Sequence, residues 1–189
     1  MTEDIEKQPA QHTSYKKEII IGAAVVIGVL VSIGLIAFAI KNSGPNIVYQ
    51  PSTACTYLTG TEARTLMGDK TLSTNNDSPA IKGDLATTKC GYADGNPDNA
   101  ALRVIALVVR SGINDDGVEQ NKTEFTNGIP TQGVETVNDI GDKAYFNLTN
   151  GQLNVLKGRD WFILNYGLGS SPESNSVEDS VKLAKLVLN

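Results

Sequence analysis

Two kinds of hydrophobic pattern divide this chain. From Ile19 to Ile40 apolar residues run without a charge, and Ser32 is the one polar side chain among them. A helix of that length rises about 33 Å, close to the roughly 30 Å hydrocarbon core of a bilayer. After Lys41 the pattern becomes periodic and broken by turns, as expected of a folded domain.

The periodic part predicts its own elements. Thr59-Gly60-Thr61-Glu62 has the form of a capping box, which starts a short helix through Met67, with Gly68 as its stop and Leu58 placed to pack on Ala63. Residues 69–87 are rich in Thr, Asn, Asp, Ser, Gly and Lys and predict an exposed loop. Thr88–Ala93 and Ala101–Arg110 predict paired strands across the turn residues 94–99. Asn114–Asn127 carries Val118, Lys122 and Phe125 at helical spacing, with Asp115 and Asp116 suited to a helix N-terminus. Ile129–Asp139 reads as a crossing segment broken at Pro130 and Gly133.

Lys143–Thr149, Gln152–Lys157 and Trp161–Leu168 then form a predicted meander. Asn150-Gly151 turns the first hairpin and Gly158-Arg159-Asp160 the second. Ala144, Phe146 and Leu148 alternate onto one face, as do Phe162, Leu164, Tyr166 and Leu168, so something must cover that face. Val177, Val181, Ala184 and Leu188 make the apolar stripe of a last helix. Adjacent strands joined by short turns predict a two-layer α+β domain: a five-stranded, mainly antiparallel sheet with helices packed on one face.

Four regions follow: a polar tail over 1–18, predicted disordered; a transmembrane helix over 19–40; a linker over 41–54, where Pro45 and Pro51 stop the helix; and the α+β domain over 55–189. The short linker predicts a domain held close to the membrane. Lys16 and Lys17 abut the apolar run, whereas after Lys41 no Lys or Arg occurs before Arg64. The positive-inside rule therefore places the N-terminus in the cytoplasm and the large domain outside. Ala37-Phe38-Ala39 fits a signal-peptidase site, but the run is longer than a signal-peptide core, which favours an uncleaved signal-anchor. Cys55 lies too far beyond the run for lipid attachment, and no pilin processing site is present. Ala24, Gly28 and Ser32 share one helix face at four-residue spacing, a pattern that permits close packing with a second copy in the membrane.

Charge and composition narrow the chemistry. Residues 41–189 carry a net charge of −4, which disfavours nucleic acid and anionic headgroups as main partners. His12, in the tail, is the only histidine, so the domain has no Ser-His-Asp or Cys-His arrangement and no His-based zinc site. Asp94, Asn96 and Asp98 imitate the opening of a calcium loop, but Asn99 and Ile105 stand where Gly and Glu are needed. No cofactor or metal is expected. Asp139, Asp142 and Asp160 could pair for glycoside hydrolysis, although acids at turns are commonly just solvated. Asn76, Asn121 and Asn147 lie in N-x-[ST] sequons, which matter only in a eukaryotic secretory host. The expectation is a binding or interaction domain rather than an enzyme, recognising an envelope component or a protein; a hydrolase of envelope polymers is the alternative.

Cys55 and Cys90 are the only cysteines, and beyond the membrane they predict one structural disulfide. The run Cys55-Thr56-Tyr57-Leu58-Thr59, with Glu62-Ala63, Leu66-Met67-Gly68, Cys90-x-Tyr92, Ile140-Gly141-Asp142-Lys143-Ala144-Tyr145 and the Gly151-to-Gly158 strand, resembles a group of small actinobacterial envelope lipoproteins of unknown function. More loosely it is similar to the extracytoplasmic sensor domains of mycobacterial receptor kinases. The resemblance spans roughly residues 53–188 and implies an envelope-facing α+β domain, a Cys55–Cys90 bridge and a ligand- or partner-binding role. It carries no catalytic residue. This chain differs in having an apolar helix in place of a lipid and no kinase domain.

Overall fold

The computed structural model describes residues 47–74, 78–95, 102–168 and 175–188, all within the second of two compact units, Ile47–Asn189. The predicted membrane helix, with Ala24, Gly28 and Ser32, lies outside the described residues. So do the tail and Asn76, Asn96 and Asp98. No described helix is long and apolar enough to cross a membrane.

The domain is an α+β fold on an eight-stranded antiparallel sheet. In chain order its elements are α1 (Ala54–Tyr57), α2 (Gly60–Met67), β1 (Thr71–Ser73), β2 (Ala80–Lys82), β3 (Leu85–Asp94), β4 (Arg103–Gly112), α3 (Asp115–Asn127), β5 (Val134–Val137), β6 (Lys143–Asn147), β7 (Gln152–Lys157), β8 (Asp160–Leu168) and α4 (Val177–Leu188). The sheet runs β1-β3-β4-β8-β7-β6-β5, and β2 pairs with the other end of β3. The expected strand pairs are present, with Cys90 opposite Leu107 and Leu107 opposite Leu164.

Five strands were expected and eight are present. β1 and β2 occupy the polar stretch that composition assigns to a loop, and β3 begins at Leu85 rather than Thr88. β5 lies within the expected crossing segment. These added strands are three or four residues long and held by backbone pairing to β3 or β6, so their side chains carry little period-two signal. Leu148 leaves the ladder after β6 and is 54% exposed, so the alternation of Ala144 and Phe146 ends one step earlier than expected.

The sheet is covered on both faces, which corrects the expectation of helices on one. Ile105, Leu107, Val109, Phe162 and Leu164 form one core with Ala54 of α1, Ala63 of α2 and Leu183 of α4. Tyr145, Leu156 and Trp161 alternate with those residues and project to the other face. There α3 covers them through Phe125, whose ring meets Tyr145 at 5.3 Å and Trp161 at 5.5 Å, edge to face.

Helix boundaries follow local chemistry. Thr59 caps α2: its hydroxyl accepts from Thr61 N at 3.2 Å, while Glu62 Oε2 accepts from Thr59 N at 3.0 Å. Asn114 caps α3 by accepting from Gly117 N at 2.8 Å. Ser176 caps α4 by accepting from Asp179 N at 3.1 Å. The α4 stripe is wider than Val177, Val181, Ala184 and Leu188, because Leu183 and Val187 are buried as well.

Cys55 and Cys90 form a disulfide with Cα atoms 5.1 Å apart, closing a chain separation of 35 residues. It fastens α1 to the middle of β3. A bridge of this kind persists in oxidising compartments, consistent with an extracytoplasmic domain.

Candidate functional site

The stretch Ile140 to Tyr145, conspicuous in the sequence, is built into one wall of a surface groove. Ile140 is buried in the larger core. Gly141 takes φ +61°, and a Cβ there would stand 2.5 Å from Leu156 O, so only glycine fits. Asp142 N donates to Leu156 O at 2.7 Å, and Asp142 Oδ2 accepts from Gly158 N at 2.6 Å. The segment is thus pinned to the β7–β8 turn. Asp139, also at a positive φ of 61°, projects from the same bend.

The opposite wall comes from α3 and the residues after it. Phe125, Ile129, Val134, Val137 and Tyr145 give the groove an apolar lining, and its volume is about 330 Å³. That volume is within the range of small-molecule sites. Asp139, Asp142 and Lys143 supply charge along it. Tyr145 Oη donates to Gly128 O at 3.3 Å, and burial raises the pKa of this phenol. Beside the groove runs β5, a terminal strand of the sheet whose only described partner is β6. Ile129 is 38% exposed at its mouth. An apolar slot with both signs of charge suits retention of a ligand or side chain.

Two of the three sequence candidates for acid catalysis, Asp142 and Asp160, have structural duties. Asp142 holds the Gly158 turn, as above. Asp160 is buried and accepts from Ser52 Oγ at 2.7 Å. Asp139 and Asp142 share the groove; Asp160 instead faces the strap described next. Among the described residues no group of three His, Cys, Asp or Glu side chains is placed to hold a metal ion. Asn121 is fully buried in α3 and donates to Arg110 O at 2.8 Å and Arg159 O at 3.0 Å, so its sequon is closed within the fold.

A second polar assembly fastens residues 47–53, the latter half of the expected linker, onto the domain as a strap. Tyr49 N donates to Ile113 O at 2.8 Å and Tyr49 Oη to Asp115 Oδ1 at 2.7 Å. The Asp115 hydrogen bond raises the Tyr49 pKa, since it holds the phenol protonated. Arg159 Nη2 donates to Gln50 O at 2.6 Å. Thr88 Oγ1 donates to Ser52 O at 2.9 Å and accepts from Ala54 N at 2.9 Å.

Among the groove residues, Phe125 of α3 is read from the sequence only as part of a helical stripe, and Ile129 of the following turn and Val134 of β5 carry no signal there. They precede Ile140–Tyr145 by only 6 to 15 residues, but they lie on a helix, a turn and a short strand, and no single periodic pattern links them. The conspicuous Ile140–Tyr145 run was the one available signal. No protein family, no curated protein and no solved structure matches this chain.

Proposed function

We propose that this protein is a single-pass, membrane-anchored extracytoplasmic binding or interaction domain of a bacterial cell envelope. Ile19 to Ile40 is its anchor, and the groove between α3, β5 and the 138–142 bend is its recognition site. The carrying observation is that groove: an apolar slot of about 330 Å³ with fixed walls, beside a terminal strand. The Cys55–Cys90 disulfide supports the compartment.

The test uses the full chain in lipid nanodiscs, incubated with isolated bacterial envelope fragments. The expected result is retention of fragments without release of soluble products, and loss of retention in Ile129→Glu. Release of soluble fragments would favour a hydrolase and overturn the binding reading; so would retention that Ile129→Glu leaves unchanged, as regards the groove.

A further inference from the structure

The strap has an exposed apolar start that the domain itself does not use. Ile47 is 49% exposed and Val48 is 72% exposed, although the next residue, Tyr49, is fixed by two hydrogen bonds. On the same end of the sheet, β2 presents Ile81, 63% exposed. The register explains the proximity. Ile81 pairs with Ala86, Ala86 with Ser111 and Ser111 with Asp160. Ser52 of the strap bonds to both Ser111 and Asp160. Ser52 and Ile81 therefore share one face at one end of the sheet, and the backbone bonds Tyr49 N to Ile113 O and Ile113 N to Asp84 O set the start of the strap beside the β2–β3 turn.

We propose that Ile47, Val48 and Ile81 form a lipid-contact surface that seats this end of the domain in the interfacial layer of the bilayer. The proposal rests on the reading of Ile19 to Ile40 as the membrane span. Chain length selects the occupant: Ile47 follows Ile40 by seven residues. A fully extended chain of that length covers about 25 Å, so the strap starts within reach of the headgroup layer. Tyr49 directly follows the apolar pair, with the Arg159 guanidinium 5.3 Å from its ring centroid, and such amphipathic side chains suit a membrane interface.

Acids at this end are already engaged. Asp84 accepts from Asn114 Nδ2 at 2.7 Å, Asp115 accepts from Tyr49, and Asp115 and Asp116 lie in the favourable first turn of α3. Contact driven by apolar side chains needs no anionic lipid, so neutral phosphatidylcholine is a sufficient probe.

The experiment reconstitutes the full chain in phosphatidylcholine vesicles with and without brominated acyl chains. Val48→Trp and Ile81→Trp are compared with Leu148→Trp, an exposed apolar site (54%) past the far end of β6, after subtracting the parent Trp161 emission. Quenching by brominated lipid should be about twofold or more stronger at 48 and 81 than at 148. Equal, weak quenching at all three sites in vesicles that retain the protein through an alkaline carbonate wash overturns the lipid contact and leaves the anchor standing. Loss of the protein in that wash overturns the anchor reading itself, and the lipid contact with it.

Discussion

Arg159 lies over Tyr49, and the two residues join the β7–β8 turn to a strap 110 positions earlier in the chain. Arg159 also donates to Gln50 O at 2.6 Å and to Ser52 Oγ at 3.3 Å, so one side chain closes most of the strap. Arg159→Ala should lower stability by about 1–2 kcal/mol, the scale of charged hydrogen bonds plus a surface cation–π contact. Hydrogen exchange should quicken at Tyr49 and Ser52 but not at Leu107 or Leu164. Unchanged exchange at Tyr49 would show that the strap is held by its remaining contacts.

Gly141→Ala meets both a positive φ and the Leu156 carbonyl 2.5 Å from the added methyl. The loss should be about 2 kcal/mol or more, read by denaturant unfolding. Gly158→Ala, at φ +60° with open space around it, should cost less. Equal losses would mean that backbone conformation, rather than contact with β7, sets the demand for glycine.

Removing the disulfide in a Cys55→Ser, Cys90→Ser double variant should cost about 4 kcal/mol in the chain-entropy account, given the 35-residue separation. Because the bridge fastens α1 to β3, exchange should rise first at Leu58 and Ala63. Equal stability of the oxidised parent and the double variant in urea would count against this.

The α2 capping box predicts a pH effect. The Thr59 side-chain hydrogen bond, opposed by desolvation, holds the Glu62 pKa below its ordinary value of 4.5. A carboxyl depressed in the folded state stabilises the fold above its unfolded pKa, and that stability is lost as pH falls through the folded one. Parent stability relative to Glu62→Gln should therefore be largest near neutrality and shrink below pH of about 4.5. A difference that stays constant down to strong acid would exclude the linkage.

Phe125 touches Trp161 edge-on at 5.5 Å and is fully buried. Phe125→Ala should cost about 3–5 kcal/mol and red-shift Trp161 emission, because the indole gains contact with water. An unshifted spectrum in a folded variant would mean that other groups shield Trp161.

Much of the fold was legible because it rests on short-range patterns. The capping box at Thr59–Glu62 and the alternation from Trp161 to Tyr166 each act over a few residues and are present, and the hairpin expected at Asn150-Gly151 forms with a four-residue loop, 148–151, instead of a two-residue turn. The same alternation marks a second buried face: Tyr145, Leu156 and Trp161 are large apolar residues on the side away from the main core. Their side requires a cover, and α3 is that cover. The short strands β1, β2 and β5 were hidden because backbone pairing, not side-chain period, defines them.

By itself, the amino-acid order determined the apolar run at Ile19 to Ile40, the lysine bias around it, the lone cysteine pair and the α+β class, all of which follow from composition and local spacing. The tertiary structure alone decided that α3 crosses to the opposite face, that Arg159 locks a strap drawn from the expected linker, and that Phe125, Val134 and Asp142 meet in one groove. Those outcomes depend on strand order and register, which bring together residues far apart in sequence through hydrogen bonds that any side chain permits.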